Sequence, residues 1–226
     1  MGLSKEKSWK KLWESGTRPR LSRYSQDFYK SYSQELAILI GSSTGAYILE
    51  IGCGTGALFD HLGFNQCARY VGVDVSESMI NEFKQNFPDV NVRVADGESY
   101  FDDLKYDLIF SNGVIQHFTK DMMELHISNS VKMLNPGGRI VDAMVPWKEA
   151  RSTYAKGILT GSPNPGLMRS AKWRVAQLRD SFMGRWYSAE ELYSYAEKYQ
   201  LSLNFHGSLH YPYRLHVVYT KSEFKK

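Results

Sequence analysis

Residues 50–56 read EIGCGTG and place three glycines at the end of a short apolar run. Glycine permits positive φ and carries no Cβ, so a ligand can approach this main chain closely and accept from its free N–H groups. The loop therefore indicates a binding site for an oxygen-rich ligand. Gly52, Gly54 and Ala57 also satisfy the looser G-x-G-x-x-A pattern of dinucleotide-binding proteins. The loop alone therefore does not decide between a dinucleotide and another oxygen-rich ligand.

Asp74 ends the next apolar run, residues 70–74, and is a second candidate binding residue. A carboxylate at the end of such a strand can accept hydrogen bonds from both hydroxyl groups of a ribose. NAD is not the only class of ligand that carries a ribose, so Asp74 does not identify the ligand. The alternative is a carboxylate that only starts a helix.

Gln116 and His117 follow a third apolar run, residues 106–112. An imidazole with the ordinary pKa near 6.5 can accept a proton from a hydroxyl group at physiological pH. His117 is therefore a candidate for a general base or for a residue that orients a bound molecule; the alternative is a structural histidine. Gln116 either positions the substrate or hydrogen-bonds a loop.

Short apolar runs alternate with amphipathic stretches over residues 46–145, the pattern of βαβ units in a parallel sheet. Strands are predicted over residues 47–51, 70–73, 90–94, 106–111, 139–145, 201–205 and 215–220. Helices are expected to begin near Gly56, after Ser76, after Thr119 and after Ser188, where SAEE forms a capping box. The predicted fold is α/β, with a doubly wound, seven-stranded, mostly parallel sheet and an antiparallel end strand.

The 226 residues predict a single domain with four parts. Residues 1–45 form an aromatic-rich N-terminal helical segment over the carboxyl edge of the sheet, and residues 46–145 form the core. Residues 146–187 interrupt the α/β pattern and are expected to be a lid or substrate-binding insertion after strand five. Residues 188–226 add a helix and strands. Tyr24 and Tyr154, from the first and third parts, are candidate substrate-binding residues.

Cys53 and Cys67 are the two cysteines of the chain, too few for a disulfide framework and not in a zinc spacing. His206, His210 and His216 have no carboxylate cluster beside them in the sequence, so no metal site is predicted. The apolar runs are shorter than the roughly 20 residues of a membrane span, and the Lys-rich start lacks the apolar region of a secretory signal. A cytoplasmic location without a membrane span is expected.

Taken in order, the segments from Tyr47 to about Val145 resemble the class I, Rossmann-like S-adenosylmethionine-dependent methyltransferases of the small-molecule type. The resemblance implies that the glycine loop wraps the methionine part of the cofactor and that Asp74 binds its ribose. It also implies that Asp96 and Gly97 contact the adenine, and that the end of strand four receives the ammonium group. The implied cofactor-binding residues are Glu50, Gly52, Cys53, Gly54, Gly56, Asp74, Val75, Asp96, Gly97, Ser111 and Asn112.

This resemblance implies methyl transfer from S-adenosylmethionine to a small-molecule acceptor. Residues 112–118 resemble the family segment in which a histidine lies beside the transferable methyl group, so His117 is the predicted catalytic residue. Residues 111–114 read SNGV and lack the proline pair of enzymes that methylate nucleobase amines or glutamine amides, so a hydroxyl or carboxylate oxygen is favoured over nitrogen. Basic residues crowd the segments 5–23 and 169–185, which leaves an anionic acceptor open. The alternatives are an RNA or protein methyltransferase and an inactive cofactor-binding interaction module. Nucleic acid is not favoured as a partner, and the oligomeric state is not predicted.

Overall fold

The computed structural model describes residues 25–161, 166 and 184–223. Within these ranges the strands are β1 (Tyr47–Ile51), β2 (Arg69–Asp74), β3 (Val92–Val94), β4 (Tyr106–Asn112), β5 (Leu134–Pro146), β6 (Leu201–Gly207) and β7 (Arg214–Lys221). The α-helices are α1 (Gln26–Ile40), α2 (Glu77–Asn86), α3 (Lys120–Met133), α4 (Arg151–Ala155) and α5 (Ala189–Lys198). None of these described helices combines the length and the hydropathy that crossing a bilayer requires.

The strands form one sheet in the order β3-β2-β1-β4-β5-β7-β6, which confirms the predicted fold class. The pairs from β3 to β5 are parallel, and β7 is antiparallel to both of its neighbours. The antiparallel strand β7 lies between β5 and β6. The burial of the two strands agrees with these positions. Residues 214–219 of the inner strand β7 are all buried, whereas residues 204–207 of the edge strand β6 are exposed.

Helices cover both faces of the sheet, as a doubly wound fold requires. On one face, α1 and α2 pack against alternate strand residues such as Ile48, Leu108 and Phe110. On the other face, α3 and α5 pack against the intervening residues, among them Leu49 and Ile109. The period of two along each strand therefore divides the core into two layers, with the strand ends left free to form a site.

Serine and threonine begin the helices as the sequence predicts. Ser76, Thr119 and Ser188 each accept a hydrogen bond from the main-chain N–H three residues later, at 3.4, 3.2 and 3.2 Å. Only one of the two hydrogen bonds of the predicted capping box forms at Ser188, the bond from the Glu191 N–H to the serine hydroxyl. The carboxylate of Glu191 accepts from Arg185 and not from the Ser188 N–H. The cap still satisfies one of the free N–H groups at the helix start.

The helix that was expected to begin near Gly56 is not a regular helix. Residues 57–62 form successive turns with one helical hydrogen bond, from the Leu62 N–H to the Leu58 carbonyl at 2.9 Å. Gly56 and Gly63 flank this stretch with φ of 79° and 67°. The two left-handed glycines leave too few residues between them for an α-helix to extend.

The N-terminal segment lies differently from the prediction. The side chains of Tyr32, Leu36 and Ile40 in α1 are buried on a face of the sheet, not over its carboxyl edge. Arg139, near the start of β5, donates to the carbonyls of Leu39 and Ile40 at 3.0 and 2.5 Å. The helix therefore runs along the strands, because its apolar stripe matches the apolar face of the sheet, and only its first turns reach the carboxyl edge. Residues 1–24, which include Tyr24, lie outside the described ranges.

The segment after β5 leaves the sheet and returns to it at one place. The Tyr187 N–H donates to the Pro146 carbonyl at 2.9 Å, and the Lys148 N–H donates to the Tyr187 carbonyl at 2.8 Å. Both ends of residues 146–187 are thus tied beside the end of β5. Residues 162–165 and 167–183 lie outside the described ranges, and the prediction that this segment is a lid stays a prediction.

Candidate active site

The glycine loop crosses the carboxyl end of β1 with its main chain in the left-handed region. Gly52, Gly54 and Gly56 have φ of 73°, 54° and 79°. The N–H groups of Gly52 and Cys53 donate to the Val73 carbonyl at 2.7 and 3.0 Å, which fixes the loop against β2. A Cβ on Gly52 would lie 2.3 Å from Cγ2 of Val114. Glycine is therefore required there for its conformation and for the close approach of the segment after β4.

Asp74 joins the loop to the start of α2. Its Oδ2 accepts from the Gly54 N–H at 3.0 Å and its Oδ1 accepts from the Ser76 N–H at 2.9 Å. Burial raises the pKa of Asp74, and these main-chain hydrogen bonds oppose the rise. The carboxylate thus lies at the strand end at which a ribose is predicted to bind.

We expect Asp74→Ala to weaken cofactor binding by about 1–3 kcal/mol, because ribose hydroxyls lose a charged acceptor. Calorimetric titration of the folded variant with S-adenosylhomocysteine measures the loss, and NAD should bind neither protein. Glu77→Ala, which removes an exposed carboxylate from the first turn of α2, is the control and should leave the affinity unchanged. Unchanged cofactor affinity in the folded Asp74→Ala variant would mean that Asp74 is only a helix-start carboxylate.

Glu50 lies beneath the loop and not on its surface. Its side chain is buried and accepts a hydrogen bond from the Tyr70 hydroxyl at 2.5 Å. Burial raises its pKa to about 8, with the nearby carboxylate of Asp74 adding to the rise. Glu50 is therefore mostly protonated at neutral pH and supports the loop from below. A direct contact of Glu50 with the cofactor stays a prediction.

The turn after β3 packs close to the same loop. The Ala95 N–H donates to the Asp74 carbonyl at 2.9 Å, and a Cβ on Gly97 would lie 2.4 Å from Cγ2 of Ile51. Asp96 is exposed, and Val75 is partly exposed after Asp74. The predicted adenine-binding turn and the predicted ribose-binding strand end are thus neighbours in the fold.

The end of β4 is held by buried polar contacts. Ser111 donates through Oγ to Oδ1 of Asp142 at 2.6 Å, and Nε2 of His126 lies 3.3 Å from the same oxygen. Asn112 accepts at Oδ1 from the hydroxyl of Tyr32 in α1 at 2.7 Å. The side chains of Ser111 and Asn112 therefore already have hydrogen-bond partners within the protein. The ammonium-binding role predicted for this strand end thus falls to their main chain.

Gln116 and His117 lie in a 3₁₀ turn, Ile115–His117, directly after the segment that contacts Gly52. The Gln116 amide nitrogen lies 2.9 Å from the Gly113 carbonyl and 3.3 Å from Nε2 of His117. Its Oε1 accepts from Nη1 of Arg214 at 2.9 Å. Burial, followed by the positive charge of Arg214, lowers the pKa of His117 to about 4.

This value replaces the ordinary pKa near 6.5 that the sequence alone indicates for His117. The imidazole is neutral throughout the physiological pH range. It can therefore accept a hydrogen bond or a proton from a bound molecule, although it is a weaker base than an unperturbed histidine.

An aromatic cluster lies near this turn, because Arg214, which bonds to Gln116, lies 5.6 Å from the ring centroid of Tyr213. Tyr154 lies 4.4 Å from Tyr213 and 5.5 Å from Trp186 between ring centroids, and Tyr211 lies 5.9 Å from Tyr213. Phe28 of α1 lies 6.2 Å from Tyr211 and continues the row. The predicted substrate-binding residue Tyr154 thus belongs to an aromatic group that joins the N-terminal helix, the segment after β5 and the β6–β7 loop.

Two further sets of partners near the site are visible only in the structure. Arg214, at the start of β7, lies 98 residues from Gln116 in the chain. Glu35 in α1 is buried and bonds to Nδ1 of His210 at 2.5 Å and to Nε2 of His216 at 2.7 Å. Burial raises the pKa of Glu35, but the hydrogen bonds outweigh this effect and the pKa is lowered. The local sequence gave no sign of either pairing, and no group among the described His, Cys, Asp and Glu residues could hold a metal ion.

A family model described as a methyltransferase domain matches residues 49–140, from β1 into β5. Malonyl-[acyl-carrier protein] O-methyltransferase 1 of Ilyobacter polytropus is 33% identical over 120 residues, which are 49% of this chain and 42% of that protein. Phosphoethanolamine N-methyltransferase 1 of Triticum aestivum is 25% identical over 152 residues, 62% of this chain and 30% of that protein. The chain therefore spans less than half the length of both relatives.

The fold is similar to that of magnesium protoporphyrin IX methyltransferase from Synechocystis PCC 6803, solved with bound SAH. The TM-score is 0.66 at 16% identity, over 97% of this chain and 100% of that one. Residues 49–140 are thus a methyltransferase domain, of the class I, Rossmann-like kind whose methyl donor is S-adenosylmethionine. The predicted family, enzyme class and cofactor are confirmed for this domain.

Proposed function

We propose that the protein methylates an oxygen atom of a small molecule, with S-adenosylmethionine as the donor. The observation that carries this proposal is the position of the turn Ile115–His117, which follows the segment packed on Gly52 and lies beside a buried arginine. The neighbouring aromatic side chains supply the apolar wall that a small acceptor needs. The acceptor would lie between the glycine loop, His117 and the aromatic cluster.

The residues present fit this cofactor. The main chain at Gly52 and Gly54 carries no side chain that would block an approaching ligand. The carboxylate of Asp74 offers about four lone-pair positions, and the main-chain N–H groups that bond to it are those of Gly54, Val75 and Ser76. A position thus stays available for a ribose hydroxyl. Asp96 is exposed beside this site and can accept from an adenine amine.

Methyl transfer is an in-line displacement, so the protein must chiefly align the two reactants in a dry pocket. S-adenosylmethionine supplies an electrophilic methyl group when it is bound. The glycine loop and Asp74 would hold one end of this cofactor, and the main-chain carbonyls at Ser111 and Asn112 would accept hydrogen bonds from its ammonium group. Gln116 orients the acceptor, and neutral His117 accepts the hydroxyl proton. A base with so low a pKa suits an acidic hydroxyl, such as a phenol, better than an aliphatic alcohol.

The assignment to oxygen rests on this site and not on the relatives, because one relative is named an O-methyltransferase and the other an N-methyltransferase. An amine acceptor is the second candidate, with His117 in an orienting role. An RNA or protein acceptor would have to bind the basic segments 5–23 and 169–185, which lie mostly outside the described ranges. The cytoplasmic location also stays a prediction.

Methyl-labelled S-adenosylmethionine tests the proposal directly. We expect label in phenols or carboxylic acids, and less in amines, RNA or a protein extract, when each class is offered separately to the purified protein. Alkaline hydrolysis identifies methyl esters by the methanol that they release, whereas methyl ethers and methylamines keep the label. Asp74→Ala gives the cofactor-dependent background. Label found only in amines or only in RNA would contradict the assignment to oxygen.

A further inference from the structure

A β-bulge interrupts the pairing of β5 and β7 near the carboxyl end of β5. Two residues of β5, Ala143 and Met144, lie opposite one residue of β7, His216. Met144 has a φ of 62°, in the left-handed region where a Cβ makes the main chain strained. Among the non-glycine residues that the structure describes, only Gln200, in the turn before β6, shares this conformation. Such a residue keeps its conformation only where its surroundings hold it there.

The buried imidazole of His216 holds the bulge. Its Nε2 bonds to Oε1 of Glu35 at 2.7 Å, and the Met144 N–H donates to its Nδ1 at 3.4 Å. A carboxylate only accepts hydrogen bonds, so Nε2 carries the ring hydrogen and Nδ1 is the acceptor. Burial lowers the pKa of His216, which agrees with a neutral ring. The Leu209 N–H and Nδ1 of His210 also bond to Glu35, at 2.9 and 2.5 Å, and fix its carboxylate.

The bulge is connected to the turn that carries His117. The Met144 carbonyl accepts from Nη1 of Arg214, and the same nitrogen donates to Oε1 of Gln116 at 2.9 Å. The amide nitrogen of Gln116 lies 3.3 Å from Nε2 of His117. The Gly113 N–H donates at 2.9 Å to the carbonyl of the other bulge residue, just before the turn begins. A rotation of the main chain at Met144 would therefore disturb this turn at two places.

We propose that His216 is a positioning residue, which holds the bulge at Met144 and thereby the turn that carries His117. Glu35 contributes by fixing the ring and its tautomer. This inference rests on the proposed function, because that turn is where the acceptor would be aligned. A displacement of about 1 Å at a reacting group can cost about 10²-fold in rate, so a contact remote from the acceptor can control turnover.

Two amide variants separate the two contacts of His216. In His216→Asn the amide oxygen can replace Nδ1 and accept from Met144, whereas in His216→Gln the amide nitrogen replaces Nε2 and keeps only the bond to Glu35. NMR titration reports the position of Arg214 through the pKa of His117, whose imidazole signal is the one that His117→Gln removes. We expect a pKa of about 4 in the wild type and in His216→Asn. In His216→Gln the pKa should rise toward 6.5, because the positive charge of Arg214 moves away.

Met144→Gly tests the bulge itself. Glycine adopts a φ of 62° without the cost of a Cβ, so the bulge should then need His216 less. With an acceptor found in the labelling assay, His216→Gln should lower kcat by about 10–10²-fold at unchanged affinity for S-adenosylhomocysteine. Adding Met144→Gly should recover most of this loss. Gln200→Gly relieves strain of the same kind away from the site and should recover none of it.

An unchanged pKa of His117 in His216→Gln would overturn the proposal. Equal recovery by Met144→Gly and Gln200→Gly would also overturn it, because only stability would have been regained. If His216→Gln does not fold, His216→Asn decides: a pKa of about 4 supports the proposal, and a raised one shows that the acceptor at Nδ1 does not hold the turn. The titration needs no acceptor, so label found only in amines would end the assignment to oxygen and leave the shift in His117 standing.

Discussion

Gly52→Ala is expected to destabilise the protein by about 2–5 kcal/mol, the sum of about 1–2 kcal/mol for a left-handed alanine and about 1–3 kcal/mol for overpacking. The first contribution follows from the φ of 73°, and the second from the 2.3 Å between the new Cβ and Val114 Cγ2. Relief of this contact must displace the loop from the segment after β4. Binding of S-adenosylhomocysteine should weaken by at least about tenfold, a loss of about 1.4 kcal/mol.

Gly45→Ala is the matched control. Gly45 has nearly the same φ, 74°, but a Cβ there would meet nothing within 4 Å. This variant should therefore show the conformational cost alone and bind the cofactor normally. Urea unfolding and calorimetry of both variants separate the two effects. Adding Val114→Ala to Gly52→Ala should recover stability, and the absence of any such coupling would refute the packing argument.

His117→Ala is expected to lower turnover by about 10²-fold or more while cofactor affinity changes little, because the loss of a general base costs that much. The measurement is steady-state kinetics with an acceptor found in the labelling assay, together with calorimetry for S-adenosylhomocysteine. His117→Gln keeps a hydrogen-bonding group but cannot take up a proton. We expect it to be as slow as His117→Ala; recovery to near the wild-type rate would leave His117 only an orienting role.

The pH dependence follows from the lowered pKa of His117. The neutral imidazole is the active form, and the neutral fraction falls only as the pH drops through about 4. The wild-type kcat/KM should therefore stay nearly constant from pH 8 to 5 as far as this group is concerned, and should decline below that range. A decline centred near pH 6.5 would mean that His117 keeps its ordinary pKa.

Local features of the sequence predicted the scaffold of the site. Alternating apolar residues predicted the strands, since the two faces of each strand pack against different helices. Ser76 and Thr119 predicted the helix starts because a cap involves residues only three positions apart. The glycine loop was recognisable for the same reason, since it directly follows β1, and so was Asp74, which ends β2 two residues before the cap Ser76. The helix predicted after Gly56 does not form, because a second left-handed glycine, Gly63, follows too closely.

The tertiary structure alone decided how the acceptor side of the site is built. Arg214 reaches Gln116 across 98 residues, and Glu35 reaches His216 across 181, so no local pattern could pair them. The position of α1 on a face of the sheet, and not over its edge, was likewise set by which apolar surface its buried stripe could cover. The pKa of His117 has the same origin, because burial and the charge of a distant arginine both arise only when the chain has packed.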